Sequence, residues 1–242
     1  IRDRYWTALD DPLLDDFVQQ AILENREIAL GIARLDQARA QLRLARAGYA
    51  PSVSARAGVS RDVGELARDD FDLSFGADVS WEADLFGRIS GQVAASRADL
   101  ASTGYLLADV QRLIVGQVAT QTVRARALAE QLAIARSTLV FQDDNLQLAR
   151  WRNQAGLVSS LDVEQARAQR AQTAATIPML ESDLVASANV IATLIGEAPG
   201  RTYEAIAETE PQPVPRPPML TRFAAPADAL RQRPDLRSAE AD

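Results

Sequence analysis

The chain has 242 residues and a formal charge of −7, with no Cys, no His and no Lys, so that all 26 basic residues are Arg. This composition excludes disulfides, thiolate metal sites and a cysteine nucleophile, removes the commonest general base and metal ligand, and argues against nucleic acid as a partner. Hydrophobic residues make up 47% but aromatics only 5%, and much of the remainder is alanine, so packing surfaces are expected to be shallow.

No apolar stretch approaches the ~20 residues of a membrane-spanning helix. No signal peptide opens the chain, so an export signal or lipid-anchoring cysteine is expected upstream of Ile1.

Asp11-Pro12 opens a helix, with Pro in its favoured first turn. Leu14, Phe17, Val18, Ala21, Ile22, Ile28, Ile32, Leu35 and Leu42 then recur at helical spacing to about Ala47. Gly48 and Pro51 end this helix. A first alternating run follows, with Val53, Ala55, Ala57 and Val59 on one face and Ser52, Ser54, Arg56, Gly58 and Ser60 on the other. Residues 61–70, which include Gly64, read as a turn. A second run alternates for fifteen residues: Phe71, Leu73, Phe75, Ala77, Val79, Trp81, Ala83 and Leu85 against mostly polar or tiny neighbours. Period-two alternation of this length describes a strand with one apolar and one wet face. Ten steps from Phe71 to Trp81, tilted as in a barrel, give about 24 Å of height, near the lipid band of a transmembrane β-barrel.

From about Gly91 to Ala155 nothing forbids helix, which amounts to about 95 Å at 1.5 Å per residue. Its distal part carries a coiled-coil seam of Leu128, Leu132, Ala135, Leu139, Gln142, Leu146 and Ala149. Gly156-Leu157-Val158-Ser159 breaks the helix. A return helix from about Ser160 to Ile195 carries its own seam of Val163, Ala166, Arg170, Thr173, Ile177, Leu180, Leu184, Ser187, Ile191 and Leu194, with a kink expected at Pro178. The two shorter helices, laid end to end, match the long one, which would put the 156–159 turn about 100 Å from the strands. Residues 196–226 are rich in Pro and Gly and read as an extended linker without helix. Beyond it, Ala229, Leu230, Asp235 and Leu236 repeat Ala21, Ile22, Glu27 and Ile28 at an offset of 208, which suggests a second copy of the unit beginning and cut off at Asp242.

Trp81-Glu-Ala-Asp-Leu-Phe-Gly-Arg-Ile89 resembles a stretch of the TolC-like outer-membrane efflux channels, in their lipoprotein (NodT or OprM-like) branch. Tyr5-Trp6 with Asp11-Pro12 and Leu14, Ala155-Gly-Leu-Val-Ser159 with Leu161-Asp162-Val163 and Gln165-Ala166-Arg167, Ile177-Pro178 with Leu180-Glu181, and Arg233-Pro-Asp-Leu236 resemble further motifs of that branch, in the same order. The resemblance implies a homotrimer in which each chain carries two repeats, each giving two strands to a shared β-barrel and helices to a periplasmic tunnel. It implies outer-membrane location with extension into the periplasm, docking of a periplasmic adaptor protein at the hairpin tip, and coupling through that adaptor to an inner-membrane pump. It also implies lipidation at a cysteine, a residue this chain lacks.

The expected fold is mainly α with a β-hairpin (α+β): a long α-helical hairpin of a helical barrel plus two strands of a transmembrane β-barrel. Residues 1–48 form the amino-terminal segment and first helix, 49–88 the strand pair, 89–196 the coiled-coil hairpin with its tip at 156–159, 197–228 the linker, and 229–242 the start of the second repeat. Phe71, Leu73, Phe75, Val79 and Trp81 are expected to face lipid, which requires other chains because open sheet edges do not survive there. Gly156, Leu157, Val158 and Ser159 are the expected adaptor-docking tip, with Leu157 and Val158 exposed. Gly156 is also a helix stop and Ser159 a helix cap. Asp162 reads equally as a cap partner and, on the resemblance, as a latch holding the channel shut. Trp151 reads as a packing residue, and the charges along the helices as solvated faces or (i, i+4) pairs. No catalytic residue, metal site, phosphate loop or cofactor site is expected. The function expected is a passive exit duct for exported small molecules. The alternative is a periplasmic adaptor or coiled-coil scaffold without a pore, which would carry a compact β domain downstream in place of a second strand pair.

Overall fold

The computed structural model describes residues 5–61, 71–207, 214–215 and 231–241. The expected turn around Gly64, most of the Pro-rich stretch, and Ala229-Leu230 lie outside the described residues. Contacts divide the chain into two units. Residues 1–30 and 108–229 make one, and residues 31–107 and 230–242 the other.

In the first unit, a short 3-10 helix, Tyr5–Leu9, leads into α1, Pro12–Glu24. Asp11 caps α1, its Oδ1 accepting from the amides of Leu13 at 2.9 Å and Leu14 at 3.3 Å. Leu14, Phe17, Val18 and Ala21 form its buried stripe. Asp11 is itself buried, and its carboxylate meets the buried Arg126 guanidinium, Nε to Oδ2 at 3.3 Å. This pair ties the start of α1 to α3, Arg88–Gln154, the long helix whose later part belongs to this unit. The return helix α4 runs Ser160–Ile195 without interruption through Pro178. All ten seam positions expected on α4 are buried or half-buried, as are the seven on α3. Ion pairs join the arms, Arg136 to Glu181 at 2.7 Å and Arg170 to Asp143 at 2.6 Å, so these charges are cross-arm ties rather than simple solvated faces. The end of α4 is a left-handed Gly196, where the Glu197 amide reaches back to the Ala192 carbonyl at 2.8 Å.

Four expectations are corrected in detail. The helix expected over residues 12–47 is two, α1 and α2, Arg26–Ala47. Buried Asn25 divides them. Its amide closes α1 on Ala21, its Oδ1 caps α2 through the amides of Glu27 and Ile28, and its Nδ2 donates to the Leu194 carbonyl at 2.8 Å. The stretch expected to lack helix contains α5, Arg201–Ala207, between Gly200 and the later prolines, with Thr202 and Ile206 buried. By length and composition alone, α4 does hold a segment apolar enough to cross a membrane, with mean hydropathy 1.2. Its apolar residues Leu184, Ala188 and Ile191 are buried within the protein. The second strand is shorter than its alternation, as described next.

In the second unit, β1, Ser52–Arg61, pairs antiparallel with β2, Phe71–Ser80. The alternation continues to Leu85, but the ladder stops at Ser80 opposite Ser52. Pro51 precedes Ser52 and has no amide to extend it. The last turns of α2 lie against the start of α3, with Gly48 close to Ile89, and Gly31 packs so closely on Leu107 that an added Cβ would sit 2.8 Å from its Cδ1. The final helix, α6, is Pro234–Ala241. Ser238 is buried and shares a hydrogen bond with Ser102 at 2.9 Å, and Arg237 stacks over Tyr105. Helix precedes a break at Arg233 and resumes at Pro234, as helix precedes Asn25 and resumes at Arg26. The helix starts differ by 234 − 26 = 208, the offset read from the sequence.

Removing one partner of a buried ion pair leaves the other charge uncompensated. Arg126→Ala is therefore expected to cost about 3 kcal/mol, and Asp11→Asn with Arg126→Met together much less. Chemical denaturation of the full-length protein in detergent measures both.

Candidate functional site

Two places carry the function-bearing geometry, each within its own unit. The first is the strand pair. Its register sets Val53 opposite Val79, Ala55 opposite Ala77, Ala57 opposite Phe75 and Val59 opposite Leu73, while Ser52, Ser54, Arg56, Gly58 and Ser60 meet Ser80, Asp78, Gly76, Ser74 and Asp72. One face is apolar from end to end until Arg61 meets Phe71 at the loop side, and the other is polar or tiny. A one-residue slip would mix the faces, so the pattern of both strands specifies this register. In the described residues nothing covers the apolar face. Phe75 is 76% exposed, and Val53, Val59, Leu73 and Val79 are nearly as open. An isolated hairpin with such a face has no stable place in water.

Trp81, expected on this face, lies one residue beyond β2 and donates its indole N–H to the Tyr49 carbonyl at 3.0 Å. It therefore anchors the base of the strand pair. Leu85 and Phe86 beside it are almost fully exposed. Asp84 then caps α3, accepting from the amides of Ile89 at 3.0 Å and Ser90 at 2.7 Å.

The second place is the α3–α4 turn. Gly156 adopts φ +72°, a left-handed conformation that suits glycine. Its amide and that of Leu157 close on the carbonyls of Asn153 and Arg152, the paired bonds that terminate a helix. The Asn153 amide group donates to the Val158 carbonyl at 2.9 Å, bracing the turn. Ser159 caps α4 in a reciprocal box. Asp162 Oδ2 accepts from the Ser159 amide at 2.8 Å and from its hydroxyl at 2.7 Å, while Ser159 Oγ accepts from the Asp162 amide. The Ser159 hydroxyl, followed by its amide, holds the Asp162 carboxyl below its ordinary value. Leu157 is 74% exposed. Val158, expected to be exposed with it, is half-buried, whereas Leu161 in the first turn of α4 is open, so the exposed apolar residues at the tip are Leu157 and Leu161.

Residues 17–197 match the family described as outer membrane efflux protein. The chain belongs to that family. It is 32% identical to a nodulation protein T of Rhizobium leguminosarum bv. trifolii and 30% identical to the pyoverdine export outer membrane protein OpmQ of Pseudomonas aeruginosa, each over 98% of this chain. It covers 51% and 52% of those relatives, so it spans about half the length of the curated relatives it matches. The solved outer-membrane channel OprN superposes with a TM-score of 0.84 at 30% identity, over 98% of this chain and 54% of that one. The fold of the described residues, long helices with a two-strand sheet, is thus that of outer-membrane channel proteins, and the location is the outer membrane.

Sequence reasoning missed an exposed ladder on α3. Ile134, Phe141 and Leu148 recur every seven residues, each just before a seam residue, and all are exposed, as is Trp151. Trp151 is therefore a surface residue and not packed within the described chain. The seven-residue spacing was the available signal, masked by the stronger seam next to it. Arg126 gave no sequence signal, because its burial depends on Asp11, 115 residues away.

The capping box makes the tip pH-dependent. With the folded pKa of Asp162 depressed below 3.8, its contribution is complete above pH 3.8 and is lost as pH falls through the folded value. Hydrogen exchange at amides 160–163 of the full-length protein is expected to quicken, relative to the intrinsic rate, only in that acidic range. In Ser159→Ala, which removes the largest cause, faster exchange is expected already at neutral pH.

Proposed function

We propose that the assembled full-length protein is the outer-membrane subunit of a tripartite efflux pump: a passive, water-filled exit duct for small molecules across the periplasm and outer membrane. The single observation that carries this reading is the strand pair, whose apolar face is continuous, in register and uncovered. A face of this kind is suited to lipid when further strands close the sheet into a barrel, because only closure satisfies edge backbone groups in a membrane. Two strands cannot close a barrel. The duct is accordingly built from several copies of the repeat whose strands and helices complete one another, and the resemblance to the TolC-like channels implies a homotrimer. The exposed heptad ladder of Ile134, Phe141 and Leu148 supports lateral packing of α3 against helices of a neighbouring repeat or subunit.

Leu73, Phe75 and Val79, with Phe71 at the head of β2, are the lipid-facing residues of this reading, and Trp81 marks the membrane boundary below them. The tip at Gly156, Leu157, Val158 and Ser159 docks a periplasmic adaptor, which couples the duct to an inner-membrane pump. Leu157 is its apolar contact. Asp162 shapes the tip as the cap partner of Ser159 and takes part in the latch of the closed channel. Transport through such a tube is passive and includes no catalytic step. The family match favours this duct over a pore-free adaptor or scaffold.

Reconstituted in lipid bilayers with Asp162→Ala included to relax the latch, the full-length protein is expected to conduct in discrete steps. Leu157→Asp is expected to preserve the trimer and its conductance while pump-driven export in cells falls to background. An assembled trimer without conductance would contradict the duct, and unchanged export would remove the tip from the mechanism.

A further inference from the structure

The wet face of the strand pair is nearly bare. Its residues are Ser52, Ser54, Ser60, Ser74, Ser80, Gly58 and Gly76, with three charged exceptions: Arg56, Asp72 and Asp78. Arg56 is the longest side chain on this face. Gly76 lies directly opposite it, and a Cβ there would meet nothing within 4 Å. The Arg56 guanidinium reaches diagonally across the strands, and its Nη2 donates to Asp78 Oδ2, one register level nearer the base. Both side chains stay open to solvent, at 74% and 56%. An ion pair this exposed contributes little to stability. Its consequence is electrostatic: a positive side chain able to project from the wall is neutralised and laid along it.

We propose that Asp78 pins Arg56 flat against the wall of the lumen, and that the pair sets the local potential met by charged solutes passing this level. The inference rests on the duct reading, in which the wet face lines the lumen. Repeated in each subunit, the pair forms a ring of mutually cancelled charges. Losing Asp78 would leave a ring of free arginines and an anion-attracting zone. Losing Arg56 would leave Asp78 and Asp72 and a cation-attracting zone. Low-dielectric walls focus such fields into the water they enclose.

Cysteine labelling provides the test, with the parent protein without the introduced cysteine as the background control. Ser54 lies opposite Asp78 and on the same face as Arg56. In the assembled full-length protein, Ser54→Cys is to be modified with an anionic and with a cationic water-soluble thiol reagent. Adding Asp78→Asn is expected to raise the anionic-to-cationic rate ratio by about fivefold, and adding Arg56→Gln to lower it by about as much, which a change of a little under one kT in local potential produces for reagents of opposite charge. The double variant should return close to the parent ratio, and the differences should flatten in 1 M salt, where screening acts within about 3 Å. If Ser54→Cys reacts with neither reagent, the wet face does not line water and the duct reading fails with it. If it reacts but neither variant moves the ratio, the duct stands and the role of the pair is overturned. Should one variant fail to assemble, the other decides the matter, since each shifts the ratio in its own direction.

Discussion

The strand register is the constraint on which everything else depends. Ten paired positions put apolar against apolar and small or polar against small or polar, with Arg61 opposite Phe71 as the exception at the loop end. The pairing cannot slip by one residue without scrambling both faces. This makes the sheet amphipathic across its thickness, yet in the described residues no helix or loop covers its apolar side. Such a face calls for a second phase, and the unpaired outer edges of the same two strands call for more strands. Lipid and a closed barrel meet both demands together. The small side chains on the wet face fit the same solution, because Ser and Gly leave a lumen open where larger residues would fill it.

The helical part is built for a different demand, that of holding long elements in place with few bulky residues. The seams mix Leu, Ile and Val with small or polar residues such as Ala135, Gln142, Arg170, Thr173 and Ser187, and the helix ends are fastened individually. Asp11, Asn25, Asp84 and Ser159 each satisfy amides at a helix start, while Gly156 and Gly196 stop helices in left-handed turns. Asp11 also meets Arg126, and Asn25 also meets the end of α4 through Leu194, so two of these caps are tertiary fasteners as well. The tip follows the same pattern. Its backbone is settled by Gly156 and by the Ser159–Asp162 box, and this leaves Leu157 free to stand in solvent on a defined turn.

Features that depend on local pattern were legible in the sequence. The alternation of β1 and β2, the break at Gly156–Ser159, the limits of α4 and the 208-residue offset all follow from neighbours within a few residues or from self-similarity. What escaped depends on partners distant along the chain. Asn25 sits among good helix formers, and its choice of cap over helix is supported by a carbonyl 169 residues away. Arg126 looks like any helical arginine until Asp11 closes over it. β2 ends at Ser80 although its own pattern continues, because its partner strand begins only after Pro51. The general habit of tryptophan suggests a packed Trp151, but it is exposed like Phe141 and Leu148 of the ladder and belongs to a surface.

The central claim, that the apolar face of β2 meets lipid and its other face meets water, is tested most directly by scanning nitroxide labels through residues 72–80 of the full-length protein in bilayers. Collision rates with oxygen, which concentrates in lipid, and with a water-soluble nickel complex would be measured at each position. The account predicts strict alternation: Leu73, Phe75, Ala77 and Val79 accessible to oxygen, and Asp72, Ser74, Gly76, Asp78 and Ser80 accessible to the nickel complex. Uniform accessibility to the nickel complex along the strand, or burial of both faces from both probes, would contradict it.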